Sequence, residues 1–363
     1  MIKITHVITD SNIGGAGILL YNLFSEIDRR DFEFKVILPR EAALTPLLSS
    51  LGIPTFEADI TPDRSFFYKD FFVFRRLLSK CPPDILHTHG SFSARLAGRS
   101  LSLPHCILTR HCDMPIKMPT FIYNSSADFT VCTSVPLYRH MLSYGVPKEK
   151  LCFIINGAKA CAHISDERKK ELRAMFEIPQ GSKVIGIVGR LEKIKGQDVF
   201  LRAAHEVLRL GYNCIFMLVG EGSERRSLEA LTQELGVSSH VRFCGHRQNA
   251  GEIMNIFDIA VNCSLGSETS SLAVSEALSL KLPVAASDIC GNLHLLKNGD
   301  AGLLFKCGDS SSLASCLLSL LENEEKRKKI AKKGFALYSK ELTASVMAKK
   351  YEALYRELVG ASF

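Results

Sequence analysis

The sequence predicts an α/β protein built from two doubly wound, Rossmann-like domains. At 363 residues, 46% hydrophobic and 23% charged, the chain is long for one core and comfortable for two. Short runs rich in Val, Ile and Phe alternate with helical patterns of about 10 to 15 residues, the alternation that parallel sheets with helical crossovers produce. The series runs twice, with a change of character in NGAKACAHISDERKKELRAMFEIPQGS, between Asn156 and Lys183.

In chain order, KITHVITD, FEFKVILP, PDILHTHG, HCILTRH, ADFTVCTS and KLCFIING read as strands, separated by helices such as GILLYNLFSEI and FVFRRLLSK. Beyond the boundary, KVIGIVGR, CIFMLVGEG, HVRFCGH, IAVNCS and PVAASD alternate with QDVFLRAAHEVLRLG, SERRSLEALTQELG and LAVSEALSL. Two closing helices, SLASCLLSLLENEEKRKKIAKKGF and TASVMAKKYEALYRELVG, follow with no further strand. The first domain is expected over residues 1–160 and the second over 161–342. Ligands of open α/β sheets collect at the carboxyl ends of the strands, so the loops that follow strands are where chemistry is sought. Two such domains facing each other make a cleft.

Composition narrows the function classes. No apolar run approaches the ~18 residues needed to span a bilayer, and the start turns polar at Thr9 and Asp10, too soon for a secretory leader. A cytoplasmic protein is expected. The twelve cysteines are scattered, never form C-x-x-C and mostly sit inside apolar runs, which reads as small buried hydrophobes in a reducing compartment. The net charge of +7 is spread over both halves rather than gathered in a tail. It suits a phosphate-bearing ligand, and without basic-aromatic interleaving or zinc-finger spacing it does not indicate nucleic acid. The segment SFFYKDFFVFRRLLSK, residues 65–80, admits two readings. It could dock on an anionic membrane, or form a helix buried against the first sheet, which the crowding of apolar residues from Phe71 to Leu78 favours.

Four strand-end segments hold candidate site residues. In TDSNIGGAG, Gly14, Gly15 and Gly17, with Ala16 between them, strip side chains from a turn that leads into a helix, where amides can meet an anion. A plain tight turn is the alternative, and G-x-G-x-x-G is absent, so the dinucleotide fingerprint fails. HTHG and TRHCD place His87, His89 and His111 at neighbouring strand ends. They could hold a metal if HTH stays extended and points both rings to one face; strand-end histidines satisfied by backbone carbonyls are the simpler expectation. In VGRLEKIKG, Arg190 offers a fork of donors and Lys195 a mobile charge, a pair suited to a diphosphate; a solvated charged loop is the alternative.

The fourth segment is GSETSSLAVSEALSL, where Glu268 lies in a loop and Glu276 in the second turn of the helix that follows. Ser270 or Ser271 is a natural N-cap, which brings the amides of Leu272 and Ala273 near both carboxylates. Carboxylates repel phosphate, so they suit sugar or ribose hydroxyls beside it, with the helix N-terminus holding the phosphate at a dipole contribution of about 0.3–1 kcal/mol. Two solvated glutamates are the alternative.

With Glu268 and Glu276 at E-x7-E spacing, in the order strand, loop, helix, and followed by LKLPVAASD, the chain resembles the GT-B glycosyltransferases, and among them the E-x7-E group called group 1 or family 4. The resemblance extends over nearly the whole length, through GGAG, PDILHTHG, IINGA, VGRLEKIKG, LVGEGSER and VRFCGH. It implies a GT-B fold, a nucleotide-sugar donor held mainly by the second domain and an acceptor held mainly by the first. Arg190 and Lys195 would grip the diphosphate, Glu276 the ribose and Glu268 the donor sugar, with the amides near Leu272 and Ala273 meeting phosphate. His111 would sit beside the transferring sugar, and Gly14, Gly15 and Ala16 would border the diphosphate or the acceptor. The last helix, residues 343–359, would cross back onto the first domain.

The implied function is a retaining hexosyltransferase. It moves a sugar, from a UDP-sugar first of all, to a glycan or lipid-linked acceptor in cell-envelope polysaccharide, lipopolysaccharide or glycolipid synthesis. A nucleotide-sugar epimerase and a non-catalytic nucleotide-binding relative stay open, as does peripheral contact with the inner face of the membrane. No D-x-D occurs in the chain, so no metal and no other cofactor is expected, and leaving-group charge falls to Arg190, Lys195 and helix N-termini. Two departures from the family's pattern stand out. Thr269, Ser270 and Ser271 replace the usual G-F-G after the first glutamate, and Ala158 and Lys159 stand where N-G-x-D would end in an acid.

Overall fold

The computed structural model describes every residue except 114, 115, 117, 267, 268 and 361–363, and the side chain of Cys290. The chain forms two compact units, one of Met1–Ala158 with the C-terminal stretch from Ala344, the other of Lys159–Thr343.

The first unit is a parallel sheet of β1 (Ile2–Ile8), β2 (Phe32–Pro39), β3 (Thr55–Ala58), β4 (Ile85–His89), β5 (His105–Arg110), β6 (Phe129–Cys132) and β7 (Leu151–Phe153), in the order β3-β2-β1-β4-β5-β6-β7. Strand alternation sorts its side chains to two covered faces. Ile4, Ile8, Val36, Leu38, Ile85 and Ile107 meet the helix Gly15–Glu26 and the C-terminal helix Ala344–Leu358, through residues such as Leu20, Phe24 and Tyr355. Val7, Ile37, Leu86 and Cys106 meet the helices Tyr68–Lys80 and Phe92–Ser100 through Phe74, Leu78, Ala94 and Ala97.

The second unit is a parallel sheet of β8 (Lys183–Val188), β9 (Cys214–Val219), β10 (Val241–Phe243), β11 (Ile259–Asn262), β12 (Val284–Ser287) and β13 (Leu303–Phe305), in the order β10-β9-β8-β11-β12-β13. Each sheet reverses its direction of growth once, between β1 and β4 in the first unit and between β8 and β11 in the second. Such a switch point opens a crevice at the carboxyl ends of the two central strands.

At the second switch point the loops after β8 and β11 are joined directly. The amide of Leu265 donates to the carbonyl of Ile194 at 2.8 Å. Gly196 allows this approach. Its φ is +65°, and a Cβ there would lie 2.2 Å from the carbonyl oxygen of Cys263.

Three readings of the sequence are corrected. The edge strands β3 (TFEA) and β13 (LLF) were not among the runs read as strands. SLASCLLSLLENEEKRKKIAKKGF is two helices, Ser310–Glu322 and Glu324–Leu337, divided at Asn323, which leaves helical conformation and caps the second by accepting from the Lys326 amide. The helix Tyr68–Lys80 is not apolar all round: Phe74 and Leu78 are buried in the core, while Phe72 is 65% exposed beside exposed Arg75 and Arg76. Among the described residues no helix is long and apolar enough to cross a membrane, and none of the described cysteines is in a disulfide.

Gly196→Ala adds a methyl group against a carbonyl at a left-handed position. It is expected to lower stability by about 1–3 kcal/mol, read as a shifted midpoint in urea unfolding with an unchanged slope.

Candidate active site

Arg190 and Lys195 both stand in the loop after β8. The backbone there is pinned from two sides: Gln197 Nε2 donates to the Arg190 carbonyl at 2.8 Å, and the Leu191 amide donates to the Glu221 carbonyl at 2.9 Å. The Arg190 side chain is 68% exposed and pairs with Glu192 at 2.7 Å. Lys195 ends a short 3-10 turn immediately before Gly196 and is half-buried. An exposed guanidinium pair of this kind contributes little to stability, so Arg190 can exchange its partner for a ligand oxyanion at small cost.

Across the switch point, β11 leads into the loop that ends at Ser271. Ser271 caps the helix Leu272–Ser279, its side chain accepting from the Val274 amide. Leu272 and Ala273 are the first two residues of that helix, and the first amides of a helix have no carbonyl a turn earlier to bond. Glu276 follows one turn on. Burial alone raises its carboxyl to about 7, against the usual 4.5. Glu268 lies outside the described residues. Thr269, Ser270 and Ser271 are all buried, and Ser271 has φ −71°. Ser271, where the family's pattern has glycine, therefore sits in ordinary extended backbone and supplies a cap.

A buried polar set behind this loop was not read from the sequence. Asn262 Nδ2 donates to Ser271 Oγ at 3.0 Å, and its Oδ1 accepts from the Ser264 amide and from Asn292 Nδ2, both at 3.2 Å. Ser287 Oγ donates to the Ser264 carbonyl at 2.6 Å. The ends of β11 and β12, with Asn292 of the helix Cys290–Leu295, are thereby tied to the cap of one helix. The only signal available in the sequence was the run of polar residues closing otherwise apolar strands, as in IAVNCS and PVAASD.

In the first unit, Gly14 is the N-cap of the helix Gly15–Glu26 with φ −102° and ψ −170°, and no side chain caps this end. A Cβ built on Gly15 meets nothing within 4 Å, and one on Gly14 meets only Asp10, at 3.9 Å. Neither conformation nor internal packing requires glycine at 14 or 15, whereas Gly17 packs on Leu44 at 3.5 Å. Ala16 points into the core.

His87 and His89 pair with side chains rather than with backbone carbonyls, contrary to the simpler expectation. HTH stays extended, so the His87 and His89 rings share one face and stack with centroids 4.7 Å apart. His87 Nδ1 lies 2.8 Å from the Tyr355 hydroxyl and its Nε2 lies 2.7 Å from Thr109 Oγ1. His89 Nε2 lies 3.0 Å from His6 Nδ1, and His89 Nδ1 lies 2.9 Å from His111 Nε2. Thr109 Oγ1 continues to the Tyr351 hydroxyl at 3.2 Å, and His6 Nε2 to the Tyr355 hydroxyl at 3.4 Å. Burial holds the imidazoles neutral, bringing His6 down to about 3 and His111 to about 4, and lowering His87 and His89 well below the ordinary range. The three rings close enough to share an ion are His6, His87 and His89, within 4.8 Å of one another, rather than the set with His111. That trio contains no carboxylate or thiolate to offset a divalent charge in the core, and hydroxyls already engage both nitrogens of His87, so the donor set fits a metal poorly.

Comparison with known proteins agrees with this architecture. The family model described as "Glycosyl transferases group 1" matches residues 168–336, and that described as "Glycosyltransferase Family 4" matches residues 13–159. A phosphatidyl-myo-inositol mannosyltransferase of Mycobacterium leprae is 30% identical over 182 residues, 48% of each chain, so the match spans about half the length of that curated relative. A UDP-Gal:alpha-D-GlcNAc-diphosphoundecaprenol alpha-1,3-galactosyltransferase of Escherichia coli is 25% identical over 346 residues, 89% of each chain. The crystal structure of Anabaena Alr3699/HepE in complex with UDP superposes with a TM-score of 0.85, covering 98% of this chain and all of the other at 19% identity. Two units each with a parallel sheet reversed at one switch point, matched separately by the two family models, make the chain a member of the group 1 glycosyltransferases, with the GT-B fold.

Proposed function

We propose that the protein transfers a hexose from a nucleotide-sugar, a UDP-sugar first of all, to a glycan or lipid-linked acceptor. The observation that carries this reading is the convergence at the β8/β11 switch point. The loop that carries the exposed Arg190 and Lys195 is hydrogen-bonded, through the Ile194 carbonyl, to the loop that leads to the capped helix bearing Leu272, Ala273 and Glu276. Cationic groups and helix amides suit a diphosphate, and a buried carboxylate one turn on suits vicinal ribose hydroxyls. Arg190, Lys195 and the amides of Leu272 and Ala273 neutralise the leaving diphosphate without a metal ion. Glu268 holds the donor sugar, His111 stands beside the transferring group, and Gly14, Gly15 and Ala16 border the diphosphate or acceptor. The anomeric configuration is retained.

The acceptor class is supported by the relatives. Their names state transfer to phosphatidyl-myo-inositol in one case and to a sugar on diphosphoundecaprenol in the other. We place the protein in the cytoplasm, touching the inner face of the membrane through Phe66, Tyr68 and Phe72. These aromatic side chains are 54%, 57% and 65% exposed; Tyr68 and Phe72 lie on the helix that carries the basic residues, and Phe66 just precedes it.

One incubation tests the activity. UDP-sugar is supplied with and without candidate acceptors, and the products are read by NMR. Release of UDP that depends on acceptor is expected. Conversion of UDP-sugar to a second UDP-sugar without acceptor would indicate an epimerase, and a product of inverted configuration would overturn retention. Arg190→Ala is expected to weaken UDP and UDP-sugar alike by about 10- to 100-fold, the worth of charge-assisted hydrogen bonds, in isothermal titration. Glu268→Gln is expected to abolish transfer while UDP affinity stays near the parent value.

Glu276 provides a pH signature. Its carboxyl is held near 7, so binding of a UDP-sugar should strengthen as pH rises from about 6 towards 7, by up to about tenfold per pH unit, and level off above. Glu276→Gln should bind more weakly and lose this slope; an unchanged slope would separate Glu276 from the ribose.

A further inference from the structure

We propose that Arg95 is an anion-binding residue, whose buried guanidinium, with Arg110 nearby, takes a phosphate group carried by the acceptor. That the phosphate belongs to an acceptor rests on the transferase reading given above; the anion site itself rests on the first unit alone. Arg95 lies on the helix Phe92–Ser100, which follows the switch-point strand β4, and is 2% exposed. Its Nε donates to Ser126 Oγ at 3.3 Å, and its Nη1 meets Thr88 Oγ1 and the Ser91 carbonyl, both at 3.2 Å. Nη2 makes no hydrogen bond among the described residues and is not sealed from solvent. The half-buried Phe92 ring covers the guanidinium, its centroid 5.4 Å from Cζ, and packs in turn on the exposed Phe66.

An arginine is almost never fully buried without an anionic partner, because a charge taken out of water unpaired is costly. Arg99, one turn further along the same helix, has its partner in Asp128 at 2.6 Å, whereas no carboxylate pairs with Arg95 among the described residues. Burial brings the Arg95 guanidinium down only to about 10, so it keeps its charge at neutral pH. Burial also raises the Tyr123 phenol, and the Cys106 thiol to about 11, so neither neighbour supplies a negative charge. The hydroxyls that Arg95 touches do not need it. Thr88 Oγ1 donates to the Ile107 carbonyl at 3.1 Å and Ser126 Oγ to the Tyr123 carbonyl at 2.8 Å. A neutral side chain at 95 would leave both of those donors paired. The helix end is not the site, since the Phe92 and Ser93 amides donate to the Ser65 carbonyl and the Ala94 amide to Ser91 Oγ.

The counter-charge is therefore left to a ligand. Thr88 pairs with Leu108, two residues before Arg110, so Arg95 and Arg110 stand at the carboxyl ends of neighbouring strands, where ligands of such sheets collect. The positive charge of Arg110 bears on Arg95. Two cations suit a doubly charged phosphate better than a single carboxylate, and the open Nη2 edge offers it two N–H groups.

The test uses the full chain saturated with UDP, so that the candidate diphosphate site of the second unit is filled. Inorganic phosphate is titrated at constant ionic strength, and the melting midpoint is read for the parent and for Arg95→Met. The parent midpoint is expected to climb with phosphate concentration. Arg95→Met is expected to melt at about the parent temperature without phosphate and to lose the climb. No climb in the parent, or an equal climb in both, overturns the proposal. A variant that melts more than about 4 °C below the parent without phosphate does so too, because the guanidinium would then be a structural strut. Tungstate soaked into crystals of the parent locates the site by anomalous scattering with no variant at all. Tungstate is expected against the Arg95 guanidinium, and tungstate found only elsewhere overturns the proposal. Phosphatidylcholine vesicles with and without phosphatidic acid distinguish the sources. A preference for phosphatidic acid that Arg95→Met loses makes the phosphate a lipid's; no preference beside binding of inorganic phosphate makes it a soluble sugar phosphate's, and either leaves the site standing. In transfer to a phosphorylated acceptor, Arg95→Met should raise the acceptor KM at least about tenfold with the donor KM unchanged. An inactive parent that still shows the Arg95-dependent climb would refute the transferase reading and leave the anion site intact.

Discussion

The hydrogen bond from the Leu265 amide to the Ile194 carbonyl is the contact on which the candidate donor site depends. Parallel sheets place their central loops side by side at a switch point, and topology alone leaves those loops free to splay. Here a glycine with φ +65° lets the backbone of one loop pass within contact of the other. The cationic loop after β8 is thereby joined to the loop after β11. The second anchor is Asn262, which connects the strand end, the helix cap and the next strand through buried amide and hydroxyl contacts. Such contacts contribute modestly to stability when made and cost more when broken, so they hold a geometry in place rather than deepen the fold.

Polarity is distributed differently in the two units. In the second unit the buried polar set lies at the strand ends, around the helix cap. In the first, it runs through the core beneath the helix Gly15–Glu26 and the C-terminal helix, where His6 and His87 occupy positions that Ile4, Ile8, Ile85 and Ile107 fill elsewhere on the same face. Apolar residues there would pack at least as well. Buried imidazoles need partners on both nitrogens, and the C-terminal helix supplies them as Tyr351 and Tyr355. The last turns of the chain are thus bound to the first strand by polar contacts as well as by hydrophobic ones, and removal of those tyrosines would leave several orphaned groups in the core at once.

Much of this was legible in the sequence because it is local. Alternation of Val- and Ile-rich runs with amphipathic helices is a property of neighbouring residues, and so is the position of polar residues just after a strand. On that basis Arg190 and Lys195 were placed in the loop after β8, and Leu272, Ala273 and Glu276 on the helix that follows β11, as the structure has them. The edge strands β3 and β13 were not read as strands; they are seen from their pairing with β2 and β12. The aromatic-basic helix Tyr68–Lys80 was half legible. Composition gave it apolar residues on every side, and only packing decided that Phe74 is covered and Phe72 is not.

By itself the sequence determined an α/β protein of two doubly wound units, the loops that carry its polar strand ends, and the family these landmarks resemble. Only the tertiary structure decided which loops meet and which nitrogens pair. Contacts such as Leu265 with Ile194, or His87 with a tyrosine 268 positions away, depend on strand order and helix placement. No local pattern encodes them, because the free energy that selects them comes from burying both partners together. The serines after position 268 show the same division. As letters they were a departure from a glycine pattern; in the fold one of them, Ser271, caps a helix and accepts from Asn262.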